Sequence, residues 1–106
     1  MDRLEAMFKQ QQNLQRELKV YPLTQEYYNT MTLACIDELM ESLRETPWKP
    51  WKKGQCTHEL KLKEELTDVF HFFLNLCIFA DMDAQELFDR YMLKNQENRR
   101  RHKNGY

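Results

Sequence analysis

The sequence predicts an all-α protein, a bundle of four to five helices. Three observations carry that prediction. The 106 residues include only 2 Gly and 3 Pro, too few turn formers for a many-stranded sandwich or barrel. Apolar side chains recur at intervals of three and four rather than alternating. Capping residues stand where two of the periodic runs begin. With 42% hydrophobic and 31% charged residues, the composition is that of an ordinary globular domain, and the length suits one domain spanning 1–106.

The first helix is expected over 2–20, with Leu4, Met7, Phe8, Leu14 and Leu18 on a narrow stripe; Pro22 and the residue before it close it. A second fits 24–45, capped by Thr24, with Tyr28, Met31, Cys35, Leu39, Met40 and Leu43 on one side. Residues 46–56, with two prolines and a glycine, form a loop. The third helix runs from about Thr57 to Ala80. Asp83 followed by Glu86 reads as a capping box that opens a fourth helix, ending near Arg100. Beyond it, a basic tail (99–106) with Gly105 and few apolar residues is expected to order only against a ligand.

Charge and cysteine usage exclude several classes. Acids and bases nearly cancel, 17 against 16, which disfavours a nucleic-acid binder. No apolar run is long enough to cross a membrane, and no signal-peptide core appears. Cys35, Cys56 and Cys77 form no CxxC and suggest reduced thiols, so a cytoplasmic protein is expected. Against these modest limits stand 6 Phe, 5 Tyr, 6 Met and 2 Trp. A chain this small buries only about 60–70% of its extended surface. That excess predicts a homodimer or larger homo-oligomer.

The carboxylates bear the chemistry. Glu38 and Glu41 lie one turn apart on the second helix, and Glu65 and Asp68 repeat the spacing on the third. Like charges so placed repel, and a fold that faces two such pairs together needs a cation. Oxygen-only ligands suit Mg²⁺, with Mn²⁺ as a possible substitute. The plainer alternative is a pair of solvated helix faces. From Leu66 to Ala80 the third helix is apolar almost all round and therefore expected to be buried, and Phe70, Phe72, Phe73, Leu76 and Phe79 exceed what four helices can cover. Its polar exceptions include Asp68, His71 and Asn75, at i, i+3 and i+7, with Glu64 and Glu65 extending the stripe. His71 by itself reads as a hydrogen-bonded core histidine. As a set, the stripe points to an internal polar site.

Trp48 and Trp51 alternate with Lys49, Lys52 and Lys53, either as exposed packing lids or as contacts to a base and its phosphates. From Lys94 to Tyr106 five bases face one acid, making that segment +4 in a chain of net −1. Bases favour a helix C-terminus through its dipole, and they also suit a triphosphate. No glycine-rich phosphate loop exists.

These motifs resemble, in order, those of the dimeric all-α dUTPases, relatives of the MazG-like nucleotide pyrophosphohydrolases. Glu38-Leu39-Met40-Glu41 and Thr46-Pro47-Trp48-Lys49-Pro50-Trp51-Lys52 are similar to that family's ExxE and Trp-Lys loop. The stretch Glu64 to Leu74 resembles its ELxDxxHFLL helix, and Lys94-Asn95, Asn98, Arg101, Gly105 and Tyr106 resemble its closing motif. Met7 to Gln11 with Leu14 is a fainter match to its first helix. The resemblance implies an all-α NTP pyrophosphatase fold and Mg²⁺ held by Glu38, Glu41, Glu65 and Asp68. It implies that Glu41 orients the attacking water. Substrate contacts would come from Gln11, Trp51, Lys52, His71, Asn75, Lys94, Asn98, Arg101 and Tyr106. The reaction implied is hydrolysis of dUTP to dUMP and pyrophosphate. Only 26 residues separate Asp68 from Asn95, fewer than in larger members, so other or several deoxynucleoside triphosphates are the alternative. A catalytically inactive nucleotide-binding module is the other alternative.

Overall fold

A computed structural model describes residues 1–105; Tyr106 lies outside the described residues. Four helices follow one another: α1 (Arg3–Glu17), α2 (Gln25–Arg44), α3 (Glu59–Phe79) and α4 (Ala84–Lys103). There is no strand among the described residues, and the protein is all-α as the sequence predicts.

Each helix start but one has a local cause. The side chains of Asp2, Thr24 and Asp83 accept hydrogen bonds from the backbone N–H of Glu5, Tyr27 and Glu86. The expected capping box at Asp83 is made on one side, because the Glu86 carboxylate instead accepts from Arg90 Nε at 2.7 Å. α3 starts at His58 without a side-chain cap. α1 and α3 end on non-glycine residues in the left-handed conformation, Lys19 (φ 57°) and Asp81 (φ 61°). The N–H groups of Val20 and Met82 reach back to the carbonyls of Gln15 and Cys77, at 3.2 and 3.0 Å, and satisfy the exposed last turns. α1 therefore stops three residues short of the expected position 20.

α2 and α3 form the principal packed pair, antiparallel and joined by the 45–58 loop. Tyr28 and Phe79 meet near one end, ring centroids 4.8 Å apart. α1 lies against α3, and the first turn of α4 closes the end where Phe8, Leu74, Cys77 and Ala84 are buried, supported by Leu4, Ile78, Met82 and Leu87.

Two expectations need correcting. α3 is not buried all round: Leu66, Phe70 and Phe73 are 48%, 36% and 41% exposed, because α2 and α1 cover only two of its faces. The basic residues after Arg100 do not form an irregular tail, since α4 continues through Lys103. Arg100, Arg101 and Lys103 in its last turn favour the negative end of the helix dipole, and Arg101 pairs with Glu97 at 2.9 Å. The radius of gyration is 17.1 Å, against about 13 Å for a compact chain of 100 residues. One copy leaves much of its apolar surface open.

Phe8 plugs the small core between α1, α3 and α4. Phe8→Ala should lower unfolding stability by about 3–5 kcal/mol, read as a shifted urea midpoint with an unchanged slope.

Candidate functional site

The α2–α3 seam brings the acidic residues together. Antiparallel pairing sets the second half of α2 beside the first half of α3, so the two one-turn carboxylate pairs face each other. Carboxylate oxygens of Glu38, Glu65 and Asp68 lie within 4.8 Å of one another, and so do those of Asp37, Glu38 and Glu41. Glu38 belongs to both groups. Its neighbour Glu65, aided by burial and by Glu41, pushes its pKa from 4.5 up to about 7. Glu41 is also raised, chiefly by Glu65. Glu38 Oε2 is buried and meets no donor. A buried, unpaired carboxylate oxygen among other carboxylates is costly, and a hard divalent cation offsets that cost. The donor set fits Mg²⁺ or Mn²⁺: Glu38, Glu65 and Asp68 would hold the ion, with Glu41 beside them.

Next to this cluster lies a cleft of about 410 Å³ between α1, α2 and α3, lined by Glu38 and Asp68 at one side and by Gln11, Gln15, His71 and Asn75 at another. Here polar side chains occupy positions that the helical pattern assigns to core. Asn75 Oδ1 accepts from Gln11 Nε2 at 2.8 Å and from Gln15 Nε2 at 3.0 Å. Two donors on one oxygen fix which way each amide points. Gln11 Oε1 therefore faces His71, and since an amide oxygen only accepts, His71 Nδ1 carries the proton in this 2.9 Å contact. Gln15 Oε1 accepts from the Tyr21 hydroxyl at 2.6 Å, and Gln15 Nε2 also donates to the Tyr27 oxygen at 3.2 Å. Burial raises the Tyr27 pKa, and the residue lines the cleft.

The structure thus gathers Gln11, His71 and Asn75 in one cleft bordered by Glu38 and Asp68. Gln15, 2% exposed, was not singled out in the sequence, where a glutamine on a charged helix reads as surface. Its signal is positional, because Leu4, Phe8, Gln11 and Gln15 continue a single i, i+4, i+7, i+11 stripe.

The other expected substrate residues stand elsewhere. Trp51 is 72% exposed and meets Trp48 edge-on at 5.8 Å, outside the cleft. Lys52 lines a separate hollow with Arg44, Trp48, Lys49 and His58. That loop is clasped by Gln55, whose Nε2 donates to the carbonyls of Lys49 and Lys52 at 2.6 and 2.8 Å. Lys94, Asn98 and Arg101 are on α4 and do not border the cleft within one chain. Tyr106 lies outside the described residues.

A family model described as dUTPase matches residues 3–85, which takes in the carboxylates and the amide cluster. The chain belongs to the dUTPase family. Among curated relatives, it is 42% identical over 71 aligned residues to a dCTP pyrophosphatase of Enterobacteria phage LZ5, covering 56% of this chain and 41% of that one. It is 36% identical over 97 aligned residues to a dCTP pyrophosphatase of Enterobacteria phage T4, covering 68% of this chain and 57% of the relative. A DNA replication protein of phage T4 is 34% identical over 87 residues, with 58% and 22% covered. The chain therefore spans about half the length of the first two relatives. No solved structure matches it. No helix among the described residues is long and apolar enough to cross a membrane.

The raised pKa of Glu38 has a defined consequence for stability. A carboxyl whose pKa is higher in the folded chain stabilises it fully below the unfolded value, and that contribution fades as pH rises toward 7. Metal-free protein should therefore lose thermal stability between pH 5 and 8, and Glu38→Gln should flatten that slope. An equally steep slope in Glu38→Gln would place the titrating group elsewhere.

Proposed function

We propose that the protein hydrolyses a pyrimidine deoxynucleoside triphosphate, dUTP foremost, to the monophosphate and pyrophosphate in a Mg²⁺-dependent reaction. The observation that carries this reading is the adjacency of a four-carboxylate cluster to a directed amide–imidazole array in one cleft, within the stretch that the family matches. The cation supplies charge neutralisation for the triphosphate and for the departing pyrophosphate.

The chain's own residues divide the remaining work. Glu38, Glu65 and Asp68 hold the cation. Glu41, at the edge of the same cluster, orients the water that adds to phosphorus and accepts its proton, while the P–O bond to the pyrophosphate breaks. Gln11, His71 and Asn75 receive the nucleoside end. Their mutual hydrogen bonds hold them in place before substrate arrives, so little ordering is left to occur on binding. Lys94, Asn98 and Arg101 bind phosphate, as a positively charged helix end suits, and Trp51 and Lys52 cover the base side as the loop closes. The assembly is a homodimer or a larger homo-oligomer, which covers the apolar surface that one copy leaves open.

Base choice rests on the polar array. Tyr27 lines the cleft, and its hydroxyl, which accepts from Gln15, keeps a hydrogen that would suit the O4 carbonyl of uracil better than the amino group of cytosine. The names of the two phage relatives favour a second reading, dCTP as the substrate.

Pyrophosphate release from dUTP, dCTP, dTTP and dGTP, each with Mg²⁺, tests the proposal. The expected result is turnover of dUTP above the purine and thymine nucleotides, lost at least a hundredfold in Glu41→Gln with helicity intact. Faster turnover of dCTP moves the assignment to the second reading. Binding of every nucleotide without turnover overturns the enzymatic one.

A further inference from the structure

Nearly every link of the polar array in the cleft is able to run in either direction. A tyrosine hydroxyl donates or accepts, a carboxamide has a donor end and an acceptor end, and a neutral imidazole carries its proton on either nitrogen. In the structure the Tyr21 hydroxyl donates to Gln15 Oε1, and Gln15 Nε2 donates to Asn75 Oδ1 and to the Tyr27 oxygen. Gln11 Nε2 donates to the same Asn75 oxygen, and His71 Nδ1 donates to Gln11 Oε1. Turning over all three amides reverses each of these links without losing one. Asn75 Nδ2, with two hydrogens, then donates to both glutamine oxygens, and Gln11 Nε2 donates to His71 Nδ1. Gln15 Nε2 donates to Tyr21, and the Tyr27 hydroxyl donates to Gln15. Each member fixes the next, so the array has two self-consistent senses.

One link has a fixed direction. Asn75 Nδ2 meets the Met31 sulfur at 3.3 Å, and a thioether sulfur accepts but has no hydrogen to give. In the opposite sense Asn75 Oδ1 would face that sulfur without a donor. Asn75 is 7% exposed, so little water is at hand to replace the missing partner. Met31 comes from α2 and lines the cleft, whereas the amides and the imidazole come from α1 and α3. It is the one member of the array that distinguishes the two senses.

The two senses offer different groups to a ligand. In the observed sense Tyr27 keeps its hydrogen, and His71, protonated on Nδ1, leaves Nε2 as an acceptor. Uracil needs that pair, a donor for O4 and an acceptor for N3–H. In the reversed sense Tyr27 gives its hydrogen to Gln15 and offers a lone pair, while His71 Nε2 carries the proton. Cytosine needs that pair, an acceptor for its 4-amino group and a donor for N3. Reversal thus exchanges donor for acceptor at two residues that line the cleft. We infer that Met31, acting through Asn75, sets the direction of the array and is the positioning residue for pyrimidine choice, holding the cleft in the sense that suits uracil. The inference rests on the reading of the cleft as the base site given above, and adds the residue that decides between its two senses.

Met31→Leu tests it, because leucine nearly keeps the volume and removes the acceptor. In that variant kcat/KM for dUTP should fall and kcat/KM for dCTP should rise, moving their ratio about threefold or more toward dCTP. A packing defect alone would lower both together. The side-chain ¹⁵N shifts of His71 give a second readout that needs no turnover. At a pH where the imidazole is neutral, the wild-type proton should sit on Nδ1, and Met31→Leu should raise the share on Nε2. A nucleotide ratio that is unmoved or moves toward dUTP, equal losses on both nucleotides, or a wild-type His71 protonated on Nε2 overturns the inference. If neither nucleotide is turned over, the proposed reaction fails. The tautomer shift in Met31→Leu still decides the direction of the array, and its absence overturns the role of Met31.

Discussion

Carboxylates crowded into a helix–helix seam are the constraint on which the rest of this fold depends. Glu38 sits among Glu41, Glu65 and Asp68 with one oxygen buried and undonated, and its pKa is carried up to about 7 as a result. Such a seam opposes its own formation. The packing of α2 against α3 holds it together, and a small divalent cation, as proposed, would relieve the repulsion. α3 therefore has two tasks along one helix. Its first half presents Glu65 and Asp68, and its second half supplies Leu74 and Cys77 to the core.

The polar cleft follows from the same arrangement. α1 crosses α3 where apolar contact would be the simplest packing, yet it buries Gln11 and Gln15 there. Buried amides are tolerable when every donor finds an acceptor, and here Asn75 takes one donor from each glutamine while His71 and Tyr21 close the two ends. The result is a cleft wall whose donors and acceptors are fixed by one another. Its cost is a small apolar core, with few fully buried apolar side chains among the described residues. A chain built this way has reason to gain further burial from a second copy.

Much of this architecture was legible in the sequence where its causes are local. Thr24 and Asp83 cap helices because a short oxygen-bearing side chain can reach an N–H three residues on, and that needs no tertiary context. The two one-turn pairs, Glu38 with Glu41 and Glu65 with Asp68, were legible from spacing; that they face each other depends on how α2 packs on α3, and only the family resemblance implied it. The end of α1 was not legible, since Lys19 adopts a left-handed conformation that usually announces itself as glycine. The length of α4 was misjudged because Gly105 was allowed to outweigh the favourable placement of Arg100, Arg101 and Lys103 at a helix C-terminus. Gln15 escaped because its role depends on which element packs over it. That some apolar side chains of α3 would stay uncovered was legible in their number; that Phe70 and Phe73 are among them depends on which faces α1 and α2 cover.

The central claim, that the seam is built around a divalent cation, is tested most directly by titrating Mn²⁺ into the protein and following the loss of its free paramagnetic resonance signal. Saturable uptake is expected in the wild type and should be largely abolished in the double variant Glu38→Gln/Asp68→Asn, with helicity unchanged. Undiminished uptake by that variant, or none by the wild type with or without a non-hydrolysable nucleotide, would contradict the account.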